Sequence, residues 1–337
     1  MKKRSPVILA IETSCDETAA AVICQGKIAS NIVATQAVHA QYGGIVPELA
    51  SRAHQQHIVP VVKQAMQAAN TKPAALDAIA FTQGPGLLGA LLVGTSFAKA
   101  FAFALDRPLI AVHHMRAHVL ANCIEAPPPA FPFLCLIVSG GHTLLVLVRD
   151  YLQMEVIGAT QDDAVGEAFD KIGKLLGFPY PGGPLIDRYA QKGNAQAFQF
   201  PSTNMPRLDF SFSGIKTALL YFIRENQAKD AQFVVEHRAD LCASIQATLV
   251  RMLLDKLKLA VDQTGIKTVA LAGGVAANTG LRRALQCLAA QAGWELFIPQ
   301  LAYCTDNAAM IAMAAHYQYL AGDFCDLSVT ARPRMPL

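Results

Sequence analysis

No CxxC pair occurs in this 337-residue chain, and its eight cysteines, at positions 15, 24, 123, 135, 242, 287, 304 and 325, share no repeated spacing. That argues against a thiolate zinc site and a disulfide framework and suits a reducing compartment. HExxH is also missing, and with it the zinc-protease arrangement that sets a general-base glutamate between two ligands. No apolar run is both long and uninterrupted. The best, residues 87–105, contains Gly89, Gly94, Thr95, Ser96 and Lys99 and follows a Gly-Pro-Gly loop. It reads as a buried helix rather than a membrane span. After Lys2-Lys3-Arg4, the apolar run 7–11 is too short for a signal-peptide core and enters polar Glu12-Thr13-Ser14, so nothing marks export. Charge is sparse as well: 16% of residues are charged against 53% hydrophobic, and a net +3 permits contact with a nucleic acid without the dense basic stripe of a dedicated binding module.

What is present is an α/β pattern long enough for two lobes. Residues 7–11, 18–24 and 28–34 alternate and break like an antiparallel meander, and the plan returns at 133–138, 143–148 and 154–159. One unit used twice predicts a duplicated architecture with a cleft between its lobes. Between the meanders, 47–70 reads as a helix bent near Pro60, 77–82 as a strand, and 108–112 as a buried strand leading into a helix. The proline-rich segment 126–130 is the clearest linker. It divides the chain into a first lobe, 1–130 plus 300–337, and a second, 131–299. In the second lobe a helix is expected over 163–177, and a rigid turn over 179–184 whose glycines allow positive φ. A long helix with Leu241, Ile245, Leu249, Leu253 and Leu257 at period four follows. Beyond it, a strand over 267–271 runs through Gly273-Gly274 into another helix, and an apolar helix over 308–320 takes Thr305 or Asp306 as its N-cap.

The chemistry concentrates at Val112-His113-His114-Met115-Arg116-Ala117-His118. His114 and His118 lie four apart at the start of a helix, so both imidazoles share one face. Such a pair can hold a divalent metal with a carboxylate from elsewhere; an ordinary surface or core pair is the alternative. Ser139-Gly140-Gly141-His142 follows a buried strand, where missing side chains let backbone N–H groups approach an anion, although Gly-Gly is also a common hairpin turn. Gly273-Gly274, between a strand and a helix N-terminus, is a second such turn. Asp170 can accept from ribose hydroxyls or pair with Lys174. Glu12, Asp16 and Glu17 crowd one short turn, where they need a cationic neighbour unless the turn is solvated.

Together these motifs carry a resemblance. Glu12-Thr-Ser-Cys-Asp-Glu17, Gly84-Pro-Gly86, His113-His-Met-Arg-Ala-His118, Val138-Ser-Gly-Gly-His142, Gly166-Glu-Ala-Phe-Asp170, Tyr180-Pro-Gly-Gly-Pro184, Asp209-Phe-Ser-Phe-Ser-Gly214, Gly273-Gly-Val-Ala-Ala-Asn278 and Cys304-Thr-Asp-Asn307 resemble, in register, the bacterial TsaD family, formerly the glycoprotease family. The resemblance implies a two-lobed actin-like, Hsp70-like ATPase (ASKHA) fold with duplicated ribonuclease-H-like lobes. It implies transfer of threonylcarbamoyl from threonylcarbamoyl-AMP to N6 of the adenosine beside the anticodon of tRNAs, with AMP or ATP as the related cleft nucleotides. Metal ligands map to His114, His118 and Asp306, with iron as the expected ion and zinc as the alternative. Substrate contacts map to Ile137, Val138, Ser139, Gly140, Gly141, Asp170, Gly183, Asp187 and Asn278. The partners implied are tRNA, TsaB, TsaE and a TsaC-type adenylate-forming enzyme, in the cytoplasm and without a membrane. By position on the facing turn, Asp16 and Glu17 are the candidate bases for the N6 proton. Glu12 stands where actin-like folds usually carry Asp, and its role is open. The competing classes are a metal-dependent endopeptidase, a nucleotide-binding chaperone or sugar kinase, and a silent scaffold.

Overall fold

The computed structural model describes residues 5–203 and 205–337. In chain order its elements are β1 (Val7–Glu12), β2 (Glu17–Cys24), β3 (Lys27–Thr35), α1 (Pro47–Ala68), β4 (Ala78–Gly84), α2 (Leu88–Leu105), β5 (Leu109–His113), α3 (His114–Leu120), β6 (Phe133–Val138), β7 (Thr143–Asp150), β8 (Gln153–Ala159), α4 (Val165–Leu175), α5 (Gly183–Ala190), α6 (Ser213–Gln227), α7 (Phe233–Glu236), α8 (Arg238–Thr264), β9 (Thr268–Ala272), α9 (Thr279–Ala292), β10 (Glu295–Phe297) and α10 (Ala308–Ala321). They form two compact units. One takes the chain up to residue 128 with 150–154 and 299–337; the other takes 129–149 and 155–298. The excursion 150–154 is the tip between β7 and β8, and no shift in composition marks it.

Each unit is built on one five-stranded sheet, in the order β3-β2-β1-β4-β5 and, reading the second from the matching edge, β8-β7-β6-β9-β10. β1 pairs antiparallel with β2 and parallel with β4, which is parallel to β5; β6 repeats this with β7 and β9, which is parallel to β10. The twice-used meander is therefore one ribonuclease-H-like sheet used twice.

In the first unit β1 is covered on both faces, which is why it reads as an unbroken apolar run. Val7, Leu9 and Ile11 pack in a cluster with Ile58, Val61 and Val62 of α1 and Ala98 of α2, while Ile8 and Ala10 pack with Met310, Ile311 and Met313 of α10. Small residues on this second face, among them Ala10, Ala21, Ala80, Ala308 and Ala312, are fully buried and let the helix lie close to the sheet. In the second unit the α8 stripe is realised in full: Leu241, Ile245, Leu249, Leu253 and Leu257 are all completely buried.

Two local expectations need correction. α2 is not a buried helix, for Leu88, Leu92 and Phe103 are exposed. An all-round apolar sequence carries no record of which face the fold covers. By length and composition α2 could cross a membrane, yet one face packs on α1 and β4. Gly94 sits there so close to the first turn that a Cβ would lie 2.3 Å from Thr13 Oγ1. The glycines of 179–184 do not use positive φ either: Gly182 has φ −78° and Gly183 opens α5. Their smallness serves close approach, since a Cβ on Gly173 would meet Gly182 Cα at 2.8 Å.

Candidate functional site

The parallel strands β1, β4 and β5 end side by side. Ile11 pairs with Phe81 and Thr82 with Val112, so Glu12, Thr82 and the His113–His114 step emerge at one edge of the sheet. Ligand sites of open α/β sheets gather at such carboxyl ends. The three histidines of the motif have different tasks. His113 is the N-cap of α3: Nδ1 accepts from Met115 N at 3.1 Å, and Nε2 donates to the carbonyls of Met335 and Pro336 at 3.2 and 3.1 Å. Burial pushes it down to about 4, so it stays neutral. His114 and His118, buried one turn apart, meet edge to face with ring centroids 4.7 Å apart.

Asp306 completes the group. Its Oδ1 lies 3.1 Å from His118 Nε2 and 3.4 Å from His114 Nε2. The expectation that Thr305 or Asp306 caps the last helix is overturned: Asn307 is the N-cap of α10, its Oδ1 accepting from Met310 N at 3.0 Å. Asp306 is thereby released to face the imidazoles. Burial opposes its ionisation, but His114 and then His118 outweigh burial and hold the carboxyl well below the usual range. Burial also works against a charged His114, yet Asp306 and Glu12 raise it well above the ordinary value, while burial lowers His118. The carboxylates of Glu12, wholly buried, and Asp306, half-buried, thus face the two nitrogens of the His114 ring, Nδ1 and Nε2. One donor atom each from His114, His118 and Asp306 lies within 4.8 Å of the others, and this nitrogen and oxygen set, with negative charge in excess, fits a divalent cation.

The three carboxylates of the first turn separate. Glu12 is wholly buried at the end of β1, where it accepts from Ser14 N, from Thr82 Oγ1 at 2.6 Å and from His114 Nδ1 at 3.1 Å. Spacing could not reveal this contact across a hundred residues; the only sign was an acidic residue closing an apolar strand. Glu17 is pushed up to about 10, by burial first and then by the charges of Asp306 and Asp16. Burial thus favours the protonated form of Glu17, and Asp16 and Glu17 both stay candidates for the base.

The residues mapped to the substrate all lie in the second unit. Ile137 and Val138 are fully buried in β6, paired with Leu144 and Thr143 of β7, and expose no surface. The β6–β7 turn is closed by Ser139 N to His142 O at 2.8 Å and by His142 N to Ser139 Oγ at 3.0 Å, which leaves Gly140 and Gly141 exposed at its tip. Backbone from three segments converges here. A Cβ on Gly166 at the start of α4 would lie 2.5 Å from Ser139 O, and one on Gly273, whose φ is +90°, 2.4 Å from Val138 O. This convergence is what the two glycine turns serve.

Asp170 does not pair with Lys174. Its Oδ1 accepts from Gly182 N and Gly183 N at 2.9 and 3.1 Å and fixes the entry to α5. Asp187 accepts from Thr279 N and Oγ1 and from Gly280 N. Asn278 is the N-cap of α9 and donates to Gln246 Oε1 at 2.8 Å. Asp187 and Asn278 therefore hold the helix start that follows Gly273-Gly274.

Comparison with known proteins bears on the whole chain. The family model of TsaD, tRNA N6-adenosine threonylcarbamoyltransferase, matches residues 27–313. A tRNA N6-adenosine threonylcarbamoyltransferase of Cytophaga hutchinsonii is 60% identical over 98% of this chain and 96% of its own length. One of Christiangramia forsetii is 60% identical over 97% of each. Among solved structures, full-length HypF in a phosphate- and nucleotide-bound form superposes with a TM-score of 0.65 at 15% identity, over 94% of this chain and 47% of that one. At that identity the likeness speaks for the fold alone.

Proposed function

The chain belongs to the TsaD family of tRNA N6-adenosine threonylcarbamoyltransferases, and from that premise we propose how its residues divide the reaction. The chemistry is transfer of threonylcarbamoyl from threonylcarbamoyl-AMP to N6 of the adenosine beside the anticodon in tRNAs reading ANN codons. N6 attacks the carbamoyl carbonyl carbon, the bond from that carbon to the phosphate oxygen breaks, AMP leaves with the electron pair, and N6 gives up a proton. The N6 lone pair is delocalised into the purine, so the amine is a weak nucleophile and the reaction depends on positioning and on charge stabilisation.

The Ser139-Gly140-Gly141 turn, the α4 start and the Gly273-Gly274 turn would hold the AMP portion through backbone N–H groups. Asp170 and Gly183, with Asp187 and Asn278 behind them, would keep that cradle in shape and offer acceptors to the ribose. Asp16 would receive the N6 proton, with protonated Glu17 beside it as a hydrogen-bond donor. His114, His118 and Asp306 would hold one divalent ion, iron rather than zinc in our reading. When bound it supplies Lewis acidity toward a carbamoyl or phosphate oxygen. tRNA is the substrate. TsaB, TsaE and a TsaC-type enzyme are the partners we assign in the cytoplasm.

The observation that best supports this division is the convergence of two imidazole nitrogens and one carboxylate oxygen at the carboxyl edge of the first sheet. An endopeptidase of the zinc-protease type would carry the HExxH motif, with its general-base glutamate between the two ligands, and the sequence has none. The test is incubation with tRNA, threonine, bicarbonate, ATP and the partner proteins, followed by nucleoside analysis. Threonylcarbamoyladenosine should form with the wild-type chain and not with His118→Ala. Equal product from both would refute the division of roles.

A further inference from the structure

Glu12 is the most deeply placed acid of the first unit that the reaction as drawn does not use. It has no exposed surface, and burial alone would keep it neutral, yet His114 beside it holds it below the ordinary carboxylate value. Burying a carboxylate is costly unless hydrogen bonds return the loss, and here they come from three sides. Ser14 N donates to Oε1, while Thr82 Oγ1 and His114 Nδ1 both donate to Oε2. These contacts engage both oxygens from within the core, so Glu12 is neither a further metal ligand nor a base.

We propose that Glu12 is the positioning residue of the metal centre: its carboxylate holds the Nδ1–H tautomer of His114 and aims the free Nε2 lone pair at the point that Asp306 faces. The inference rests on the reading of His114, His118 and Asp306 as a metal site and deepens it. An imidazole that gives one N–H to a carboxylate has its tautomer, its ring plane and the basicity of its other nitrogen set by that bond. Among the described residues, Ser14 Oγ, 3.3 Å from the same Nδ1, is the one other hydrogen-bonding neighbour of that atom. His118 has no such partner: its Nδ1 is buried without a hydrogen bond among the described residues, and Asp306 alone bonds the ring. Orientation of the pair therefore depends on His114, and that of His114 on Glu12.

The same geometry accounts for Glu rather than Asp at this turn. From the last residue of β1 the carboxylate must reach Thr82 on the neighbouring strand and His114 at the start of α3. One methylene fewer draws the group back by about 1.5 Å, a C–C bond length. A His114 contact that starts at 3.1 Å does not survive such a withdrawal.

The experiment uses the full chain, stripped of metal and titrated with Co2+ and then Zn2+ against a chromophoric chelator. Co2+ accepts the same ligands and reports their geometry in its visible spectrum. Glu12→Asp and Glu12→Gln should each bind about 10–100-fold more weakly than wild type, with an altered Co2+ spectrum and unchanged far-ultraviolet circular dichroism. Thr82→Val, which removes one of the bonds that hold Glu12 and keeps the volume, should show a smaller loss of the same sign. It carries the test if the Glu12 variants do not fold. Wild-type affinity and spectrum in Glu12→Asp, Glu12→Gln and Thr82→Val would overturn the proposal while leaving the metal site intact. No Co2+ uptake by the wild-type chain would instead overturn the metal site, and the proposal with it.

Discussion

At the scale of single residues, the side chains that bear on function are held by bonds that a careless substitution breaks. Asn278→Ala removes the cap bond to Leu281 N and leaves Gln246 without its partner. It should cost about 1 kcal/mol of stability through the cap alone, seen as a lowered melting temperature, so reduced AMP affinity in this variant is not evidence of direct contact. Asp170→Asn is the cleaner probe, because an amide oxygen can still accept from Gly182 and Gly183. Burial holds Asp170 above its ordinary value and outweighs the two backbone bonds that lower it. The folded chain therefore grips this proton more tightly than the unfolded chain does. The stability it contributes is full below the unfolded value and is lost as pH rises through the raised one. Melting curves from pH 4 to pH 7 should show Asp170→Asn gaining on wild type as pH rises, and a constant difference would contradict the assignment. The His114–His118 spacing was legible because helical geometry turns four residues into one face. Glu12 was not, since its partner lies on another element and only the sheet register brings them together.

At the scale of elements, the ends of helices decide what the site residues can do. With Asn307 as the cap of α10, Asp306 is left to face the histidines. Asn307→Ala should lower stability by about 1 kcal/mol and also weaken metal binding, because the turn that presents Asp306 loosens. Thr305→Ala, at an exposed position that contributes only its backbone carbonyl to Asn307, should change neither. Thermal unfolding and a Co2+ titration on both variants check this, and equal metal loss in the two would count against Asn307. The strands of both meanders were readable from short apolar runs broken by turn residues, and α8 from its period-four stripe. β10, only three residues long, and the exposed face of α2 were not, because a short strand has no period and a uniformly apolar helix has no preferred side.

At the scale of the molecule, two sheets of the same strand order stand behind two chemically different sites, the histidine centre in one unit and the glycine turns in the other. The duplication was legible from repeated meanders; the convergence of Gly166 and Gly273 on the end of β6 was not, since it depends on contacts between distant segments. With a net charge of only +3, the chain alone should bind tRNA weakly and with a shallow salt dependence, each phosphate neutralised adding up to about 0.9 to the log–log slope on a duplex. Titrations at several ionic strengths, with and without partner proteins, should show the partners steepening that slope; tight binding with a steep slope by the chain alone would contradict it. The most direct test of the account supplies threonylcarbamoyl-AMP and tRNA to the chain with its partner proteins and counts AMP released against modified adenosine formed. One AMP for each threonylcarbamoyladenosine, with both lost in Asp306→Ala, is the result expected. AMP released without modified nucleoside, or undiminished modification by Asp306→Ala, would contradict it.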